Sequence, residues 1–497
     1  MRTRWIGVGA SALAFGLLLV LLRGEPFVAG DQGVFLSVAA RVLDGDHLYS
    51  EVFDNKDPLF FYTYAGALWL GGWRGPFVLD AVWLALAGPS MALLVRELRA
   101  PRSAAIASFF VYPLALTAGW YLVGMSMLAG LAFAPLAPWL WLRERFAAAG
   151  VVVAVVMLLK LNLAPLAAAP LAALLVLGAP EHPRWRAFLR GALGLSGALI
   201  AVAAFLGIRG ELRSYLETIT YNIHYSSART ASDGPIGRAV DHLRIVSDFF
   251  YLAGRWQLPA AVLVLAAFGV GVCLAAIRGT RSERLLAGVA TAALISACAV
   301  LALTAYGEEH LQLLAYPATL VAGALIWRAD ATFGRRVGAT AATAVVLFAL
   351  WSSLKADGGR EISSLWTSPP ISPGAIALER ARERFDPDAH RVTYMVLGSN
   401  SEGGHAAFVG DEFDLRCRYF QLYSFSLPEQ FDETLACAER ESPMFILVTL
   451  GFFEPAGDVP EWNAFVSSAR QVLEERYELV EEEHPGLQVW KRSSPTA

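Results

Sequence analysis

The chain has 497 residues, of which 56% are hydrophobic and only 17% are charged, and its mean hydropathy is +0.47. Because soluble domains carry roughly a quarter charged residues, this composition excludes an ordinary soluble protein and indicates a polytopic membrane protein. The formal net charge of −4 gives no support to nucleic-acid binding. Apolar runs continue to residue 353 and a normal polar mixture follows, which predicts one soluble C-terminal domain.

The apolar runs predict about eleven transmembrane helices, since a span needs about 20 residues. The first run follows Met-Arg-Thr-Arg-Trp and is interpreted as a retained helix with a cytoplasmic N-terminus, because so many spans follow it. The two runs between 146 and 178 are short, which leaves open two spans or one bent helix. The runs lie at 5–22, 77–97, 104–122, 123–142, 146–159, 161–178, 190–208, 257–277, 285–305, 311–328 and 337–353.

Arginine clusters predict the orientation, because the positive-inside rule places them on the cytoplasmic side. All of them satisfy the rule only if the apolar stretch 59–73 does not cross. A helix of that length spans about 22 Å, less than a hydrocarbon core of roughly 30 Å, so we expect it to lie at the outer face. If it does cross, the Arg96 and Arg143 loops turn outward. The clusters are Arg2/Arg4, Arg96/Arg99/Arg102, Arg143/Arg145, Arg184/Arg186/Arg190, Arg278/Arg281/Arg284 and Arg328/Arg335/Arg336.

This topology gathers the long loops at the outer face, where we therefore expect the chemistry. They are the outer loops 23–76 and 208–256, the turns at 118–123 and 306–310, the break at 160–162, and the C-terminal tail. The other face has only short arginine-rich turns. The halves of the chain show no corresponding pair of broken helices, which lowers the expectation of a secondary transporter.

The domain boundary is predicted after residue 356, with a catalytic membrane domain at 1–356 and a small extracytoplasmic α/β domain at 357–497. Alternating apolar stretches and helical spacing support the α/β class. Strands are expected at 391–398, 444–450 and 487–490, and helices at 427–440 and 459–475.

Three smaller features of the tail were interpreted from the sequence. The segment beginning at Gly398 lacks a phosphate-binding lysine or a dinucleotide fingerprint, so it is predicted to be a plain loop. The acidic run 481–483 is predicted to be a solvated face. Cys417 and Cys437 can pair if the domain faces an oxidising compartment, and the sequence leaves that pairing open.

The first outer loop carries charged residues beside an apolar segment, where charges are costly and usually retained for function. It reads Asp31-Gln-Gly-Val-Phe35, then Leu43-Asp-Gly-Asp-His-Leu-Tyr49, then Asp54-Asn-Lys-Asp-Pro-Leu59. In combination these motifs resemble the GT-C glycosyltransferases that use polyprenyl-phosphate sugars, in the group of protein O-mannosyltransferases and the lipid A aminoarabinose transferase. The specific resemblance covers about 30 residues, and the helix count and outward tail extend it loosely to the whole chain.

The resemblance implies that Asp31 is the catalytic base and that Lys56 binds the phosphate of the donor. The sequence departs from the family pattern twice: Gln32 replaces a second acid and Asp57 replaces the first proline of Lys-Pro-Pro. The chemistry agrees with these roles, because sugar transfer to a hydroxyl needs a base for the acceptor proton and cations for the departing lipid phosphate. Attack opposite the leaving group would invert the anomeric centre.

Further residues were assigned to binding, each beside a structural alternative. Asp31 can instead cap a helix, and Lys56 and Lys160 can instead anchor helix ends at the interface. Tyrosines and arginines of 208–256 suit sugar stacking and phosphate binding, or equally an amphipathic helix at the head groups. The candidates are Lys56, Lys160 and His310 for the donor phosphate, and Asp54, Asp57, Tyr221, Asn222 and His224 for the substrate.

The sequence therefore predicts an inverting membrane glycosyltransferase that moves a hexose or pentose from a polyprenyl-phosphate donor to a hydroxyl acceptor. Its partners are that donor, membrane lipid and a glycan, lipid or protein acceptor. No cofactor is expected, with a divalent metal as the open alternative. The bacterial plasma membrane is the expected location. The alternative functions are a transporter or flippase of lipid-linked saccharides and a non-catalytic relative.

Overall fold

A computed structural model gives the fold of the chain. It describes residues 2–23, 31–117, 126–178, 183–228, 279–303, 312–355, 373–388, 391–398, 413–420, 422–423, 426–449, 452–453, 459–484 and 487–493. In these parts the chain is mainly helical, with one mixed β-sheet near the C-terminus.

The apolar runs of the sequence fold as helices wherever the structure describes them. The run 257–277 lies outside the described residues. The helices are α1 Arg2–Arg23, α2 Asp31–Asp44, α3 Pro58–Gly71, α4 Gly75–Glu97, α5 Arg102–Thr117, α6 Ser126–Phe133, α7 Leu136–Leu142, α8 Phe146–Leu159, α9 Ala164–Leu177, α10 Arg184–Ile208, α11 Leu212–Ala228, α12 Arg281–Leu303, α13 Ala315–Phe333 and α14 Arg335–Lys355.

Three stretches among the described residues are long and apolar enough to cross a membrane by length and composition: Pro58–Glu97, Arg184–Ile208 and Arg281–Leu301. Several of the other predicted runs form shorter apolar helices. The count of eleven spans and the orientation therefore stay predictions, as does the surface position of 59–73. The region 146–178 contains two helices, because Lys160 adopts an extended conformation after α8 and a 3-10 turn precedes α9.

The chain divides into two compact units, Met1–Glu25 with Phe77–Phe205 and Thr230–Ile362, and Pro26–Pro76 with Leu206–Arg229 and Ser363–Ala497. We call them the helical unit and the loop unit. The loop unit joins the first outer loop and α11 to the C-terminal domain. The predicted boundary after residue 356 lies outside the described residues and stays a prediction.

Close helix packing in the helical unit depends on small residues. A Cβ at Gly150 of α8 would lie 1.9 Å from the carbonyl oxygen of Gly191 in α10, and one at Gly194 would lie 1.9 Å from that of Ala147. Small residues at such crossings let backbones approach, which is how apolar helices associate without a hydrophobic driving force in lipid. Substituting either glycine would force α8 and α10 apart.

The C-terminal part is the α/β domain that the sequence predicts. Its five-stranded sheet has the order β2-β1-β3-β5-β4, in which β1 pairs in parallel with β2 and β3, and β5 pairs antiparallel with β3 and β4. The elements are α15 Pro373–Phe385, β1 Val392–Leu397, β2 Phe413–Leu415, α16 Pro428–Glu441, β3 Phe445–Val448, α17 Pro460–Arg476, β4 Tyr477–His484 and β5 Leu487–Arg492.

The pattern of burial explains which elements the sequence revealed. β3 is buried at every position, and β5 buries Leu487 and Val489 alternately. The edge strand β4 carries the acidic run 481–483, and its polar composition conceals a strand that only pairing with β5 stabilises. The short β2 and the amphipathic α15 were also missed by the sequence analysis.

Candidate functional site

The first outer loop begins with a helix that the sequence did not predict. Asp31 is the first residue of α2, where a carboxylate interacts favourably with the positive end of the helix dipole. Residues 45–57 then connect α2 to α3, and the two helices pack with Phe35 against Phe60 at 5.2 Å between ring centroids. This packing brings the start of α2 and the loop that ends in Asp54, Lys56 and Asp57 into one cluster.

Asp54 is a buried carboxylate in this cluster, with 5% of its surface exposed. Burial raises the pKa of the Asp54 carboxyl above its ordinary value, while the ammonium group of Lys56 lowers it and the charge of Asp31 raises it. The backbone amide of Lys56 donates to Asp54 Oδ1 at 2.9 Å. The charge of Asp31 therefore acts on the Asp54 carboxyl, as expected for carboxylates that the sequence places in one charged loop.

Lys56 is half-buried, and two contacts hold its ammonium group. Its Nζ donates to Asn55 Oδ1 and lies 5.0 Å from the ring centroid of Phe35. A cation over an aromatic face is attracted by the ring, so the ammonium has a defined position above α2. Such a placed cation suits the binding of a phosphate group.

Asp57 and Asn222 make contacts inside the protein. Tyr215 donates from its hydroxyl to Asp57 Oδ1 at 2.9 Å, and Asn222 Nδ2 donates to the carbonyl oxygen of Asn55 at 2.8 Å. Both donors lie on α11. The predicted substrate-binding roles of Asp57 and Asn222 stay predictions, but both side chains are engaged with the structure of the loop itself.

Tyr221 and His224 lie at different surfaces of α11. Tyr221 is buried and packs edge-on against Phe53 at 5.2 Å, while Tyr419 of the C-terminal domain lies 5.0 Å from the same ring. Burial raises the pKa of Tyr419 to about 12. His224 is exposed. The structure therefore brings Tyr221 into the loop cluster and leaves His224 at the surface of the unit.

A buried carboxylate that the sequence analysis missed, Glu211, joins the loop to the start of α11. It is fully buried and accepts hydrogen bonds from the backbone amide of Leu48 at 3.1 Å, from Tyr62, and from Arg209 Nε at 3.1 Å. His47 Nδ1 lies 3.7 Å away. The signal available in the sequence was Arg209-Gly-Glu211 directly after an apolar span, a pair of opposite charges at a membrane boundary.

The C-terminal domain also contributes to the loop cluster through residues 417–419. Arg418 Nε donates to the carbonyl oxygen of Tyr49 at 2.7 Å. The backbone amide of Phe53 donates to the carbonyl oxygen of Arg418 at 3.0 Å. Arg41 of α2 donates to the carbonyl oxygen of Cys417 at 2.6 Å. These contacts explain why the first outer loop and the C-terminal domain form one unit.

The pairing of Cys417 with Cys437, which the sequence left open, is present as a disulfide. It connects residues 417–419 to α16. The segment that contacts the loop is therefore covalently held to the body of the domain.

Two further predicted phosphate ligands, Lys160 and His310, are not among the described residues of the loop unit. Lys160 belongs to the helical unit, where it is buried and follows the C-terminal end of α8. His310 lies outside the described residues, as do 229–256 of the second predicted outer loop. Within the described residues no group of three or more His, Cys, Asp or Glu side chains is arranged to hold a metal ion.

The apolar helices, the charged loop after α1 and the C-terminal α/β domain together define a fold that a solved structure shares. The chain is similar over its whole length to the crystal structure of ArnT from Cupriavidus metallidurans bound to undecaprenyl phosphate, with a TM-score of 0.59 and 13% identity, covering 100% of this chain and 99% of that one. No protein-family model and no curated protein matches the sequence. The likeness confirms a mostly helical, ArnT-like fold with a small C-terminal sheet, while the number of spans and their orientation stay predictions.

Proposed function

We propose that the protein is a membrane glycosyltransferase that moves a sugar from a polyprenyl-phosphate-linked donor to a hydroxyl acceptor. The observation that carries the proposal is the cluster at the start of α2, where the buried Asp54 accepts from the amide of Lys56 and the Lys56 ammonium lies over Phe35, in a fold similar to that of ArnT. ArnT was crystallised with undecaprenyl phosphate, which supports a polyprenyl phosphate as the lipid product of the reaction here.

Asp31 is the proposed base. It accepts the proton of the acceptor hydroxyl as the new glycosidic bond forms, and the bond between the anomeric carbon and the donor phosphate oxygen breaks on the opposite face, with inversion. The lipid phosphate leaves with the electron pair of that bond. Asp54 is the second carboxylate of the site and holds the amide of Lys56 in place.

Lys56 is the proposed ligand of the leaving phosphate. Negative charge develops on that phosphate in the transition state, and a cation that is already in position stabilises it without reorganisation. Lys160 and His310 are proposed further ligands of the donor phosphate.

The reaction is proposed to occur on the outer face of a bacterial plasma membrane. Two observations support this location: the arginine distribution favours the outer face for the loop unit, and the disulfide between Cys417 and Cys437 suits an oxidising compartment. The acceptor is a hydroxyl of a glycan, a lipid or a protein. The chemistry as proposed needs no metal ion.

The test is transfer of radiolabelled sugar from polyprenyl-phosphate donors by the purified protein, beside Asp31→Asn and a matched control, Asp44→Asn. Asp44 lies at the other end of α2 and, within the described residues, makes an exposed ion pair with Arg391 at 3.4 Å, which is worth little. We expect release of free lipid phosphate by the wild type and Asp44→Asn, and its loss in Asp31→Asn. Proton NMR of the product gives the anomeric configuration.

Three outcomes would count against the proposal or its base. Full activity of Asp31→Asn would end the assignment of the base. Movement of the intact donor across proteoliposomes without cleavage would favour a flippase, and donor binding without turnover or movement would favour a non-catalytic relative.

A further inference from the structure

Asp57 stands where the related motif has its first proline, and its backbone adopts a conformation that a proline would have. Its φ of −81° and ψ of 154° lie in the polyproline region, and the following Pro58 restricts it to extended conformations. Asp57 lacks the ring that fixes φ in proline. Instead its buried carboxylate accepts a hydrogen bond from the hydroxyl of Tyr215 at 2.9 Å. This contact holds the side chain and thereby the backbone.

The two residues before Asp57 are held in the same way. The carbonyl oxygen of Asn55 accepts from Asn222, and that of Lys56 accepts from the hydroxyl of Tyr49, both at 2.8 Å. Each of three consecutive residues is thus bound by one side chain from outside the segment. The backbone amide of Lys56 also donates to the carboxylate of Asp54. These hydrogen bonds together restrict the conformation of the segment 54–57.

The donors come from two buried surfaces. Tyr215 and Asn222 are seven residues apart on α11 and therefore lie on one face of that helix. Tyr49 is fully buried and stacks against Tyr215 with ring centroids 5.4 Å apart. Burial and the charge of Asp57 raise the pKa of both tyrosines, so their hydroxyl groups are protonated and donate.

We propose that Asp57, Tyr215 and Tyr49 are positioning residues, which hold Asp54 and Lys56 in the geometry that sugar transfer requires. This inference rests on the proposed function. It assigns to Asp57 a role that acts through Tyr215, in place of the contact with substrate that the sequence predicts. The tyrosine–carboxylate pair does here what the first proline does in the related motif.

Tyr215→Phe, Asp57→Asn and the double variant test this role. Each single substitution weakens the same hydrogen bond, and a small misplacement of reacting groups costs up to about 100-fold in rate. We expect kcat/KM to fall about 10- to 100-fold in each single variant, and the double variant to be no worse than the lower single one, since coupled residues are not additive. Losses that multiply in the double variant would overturn the shared role.

The matched control is Tyr477→Phe, which also deletes a buried hydroxyl in the loop unit, one with no hydrogen-bond partner among the described residues. We expect wild-type kcat/KM for it. If Tyr215→Phe and Asp57→Asn also keep wild-type kcat/KM, with only their melting temperatures lowered, the contact is structural and the positioning role is refuted.

Hydrogen exchange separates failure of this inference from failure of the proposed function. Two amides of peptide 53–60 donate hydrogen bonds within the loop. The amide of Lys56 donates to the carboxylate of Asp54, and the amide of Phe60 donates to the carbonyl oxygen of Asp57. We expect faster exchange in Tyr215→Phe and Asp57→Asn and none of this change in Tyr477→Phe. If the two variants exchange faster but the wild type has no transferase activity, the proposed function is refuted and the contact between Tyr215 and Asp57 stands. Unchanged exchange would refute the contact whatever the activity.

Discussion

Removing the charge of Glu211 should loosen the loop unit far more than any exposed carboxylate of α11 does. Glu211 is fully buried and accepts from Leu48, Tyr62 and Arg209. In Glu211→Gln one carboxylate oxygen becomes an NH2 group, so one of these donors faces another donor. A buried donor without an acceptor costs about 1–3 kcal/mol.

The pairing with Arg209 adds little to this figure. The Arg209 side chain is 31% exposed, so its ion pair is screened and worth at most about 1 kcal/mol. The expected loss is therefore about 1–4 kcal/mol. At about 2–4 °C per kcal/mol for a unit of this size, the melting temperature of the loop unit should fall by about 2–16 °C.

Tryptophan fluorescence during heating of the detergent-purified protein measures this loss. The matched control is Glu217→Gln on the same helix, whose side chain is 55% exposed and pairs with the exposed Arg213, so its melting temperature should equal that of the wild type. Equal melting temperatures for Glu211→Gln and Glu217→Gln would refute the reasoning that the buried carboxylate joins the loop to α11.

Three further predictions concern the same unit. The pKa of Asp54 is raised in the folded state, so its contribution to stability is fully present below the unfolded pKa and is lost as pH rises through the folded pKa. Melting curves from pH 4 to 8 should therefore show the melting temperature of Asp54→Asn rising relative to that of the wild type as pH rises. A difference that changes with pH in the opposite direction would contradict the raised pKa. Reducing the disulfide between Cys417 and Cys437, 20 residues apart, should cost about 3 kcal/mol and lower transfer activity, and the double alanine variant should be insensitive to dithiothreitol. Arg418→Ala removes the donor to Tyr49 and should lower the melting temperature, whereas Arg440→Ala, whose side chain is 62% exposed, should not; equal effects would count against the contact.

The membrane helices were predictable because a long apolar run permits few other structures. The runs at 190–208 and 285–305 became α10 and α12. In the C-terminal domain, hydrophobic periodicity revealed the fully buried β3 and the amphipathic α16. It failed for the edge strand β4, since a strand stabilised by one neighbour needs no apolar face of its own.

The site was predictable only as far as its motifs are local. Asp31, Asp54 and Lys56 are within 26 positions of one another, and the loop brings them together. Glu211 and Arg418 contact the same loop from sequence distances that no motif spans. Their roles depend on which elements pack against residues 45–57, and that information is in the tertiary structure.

Asp57 shows how the same physical constraint can be met by different residues. From the sequence it weakened the resemblance, because an aspartate in place of a proline loses the fixed φ. In the structure Tyr215, 158 residues away, supplies the missing restraint, and burial makes that hydrogen bond costly to break. A departure from a motif therefore has to be judged together with the residue that contacts it: Asp57 beside a phenylalanine would argue against an ordered site, and Asp57 beside Tyr215 argues for one.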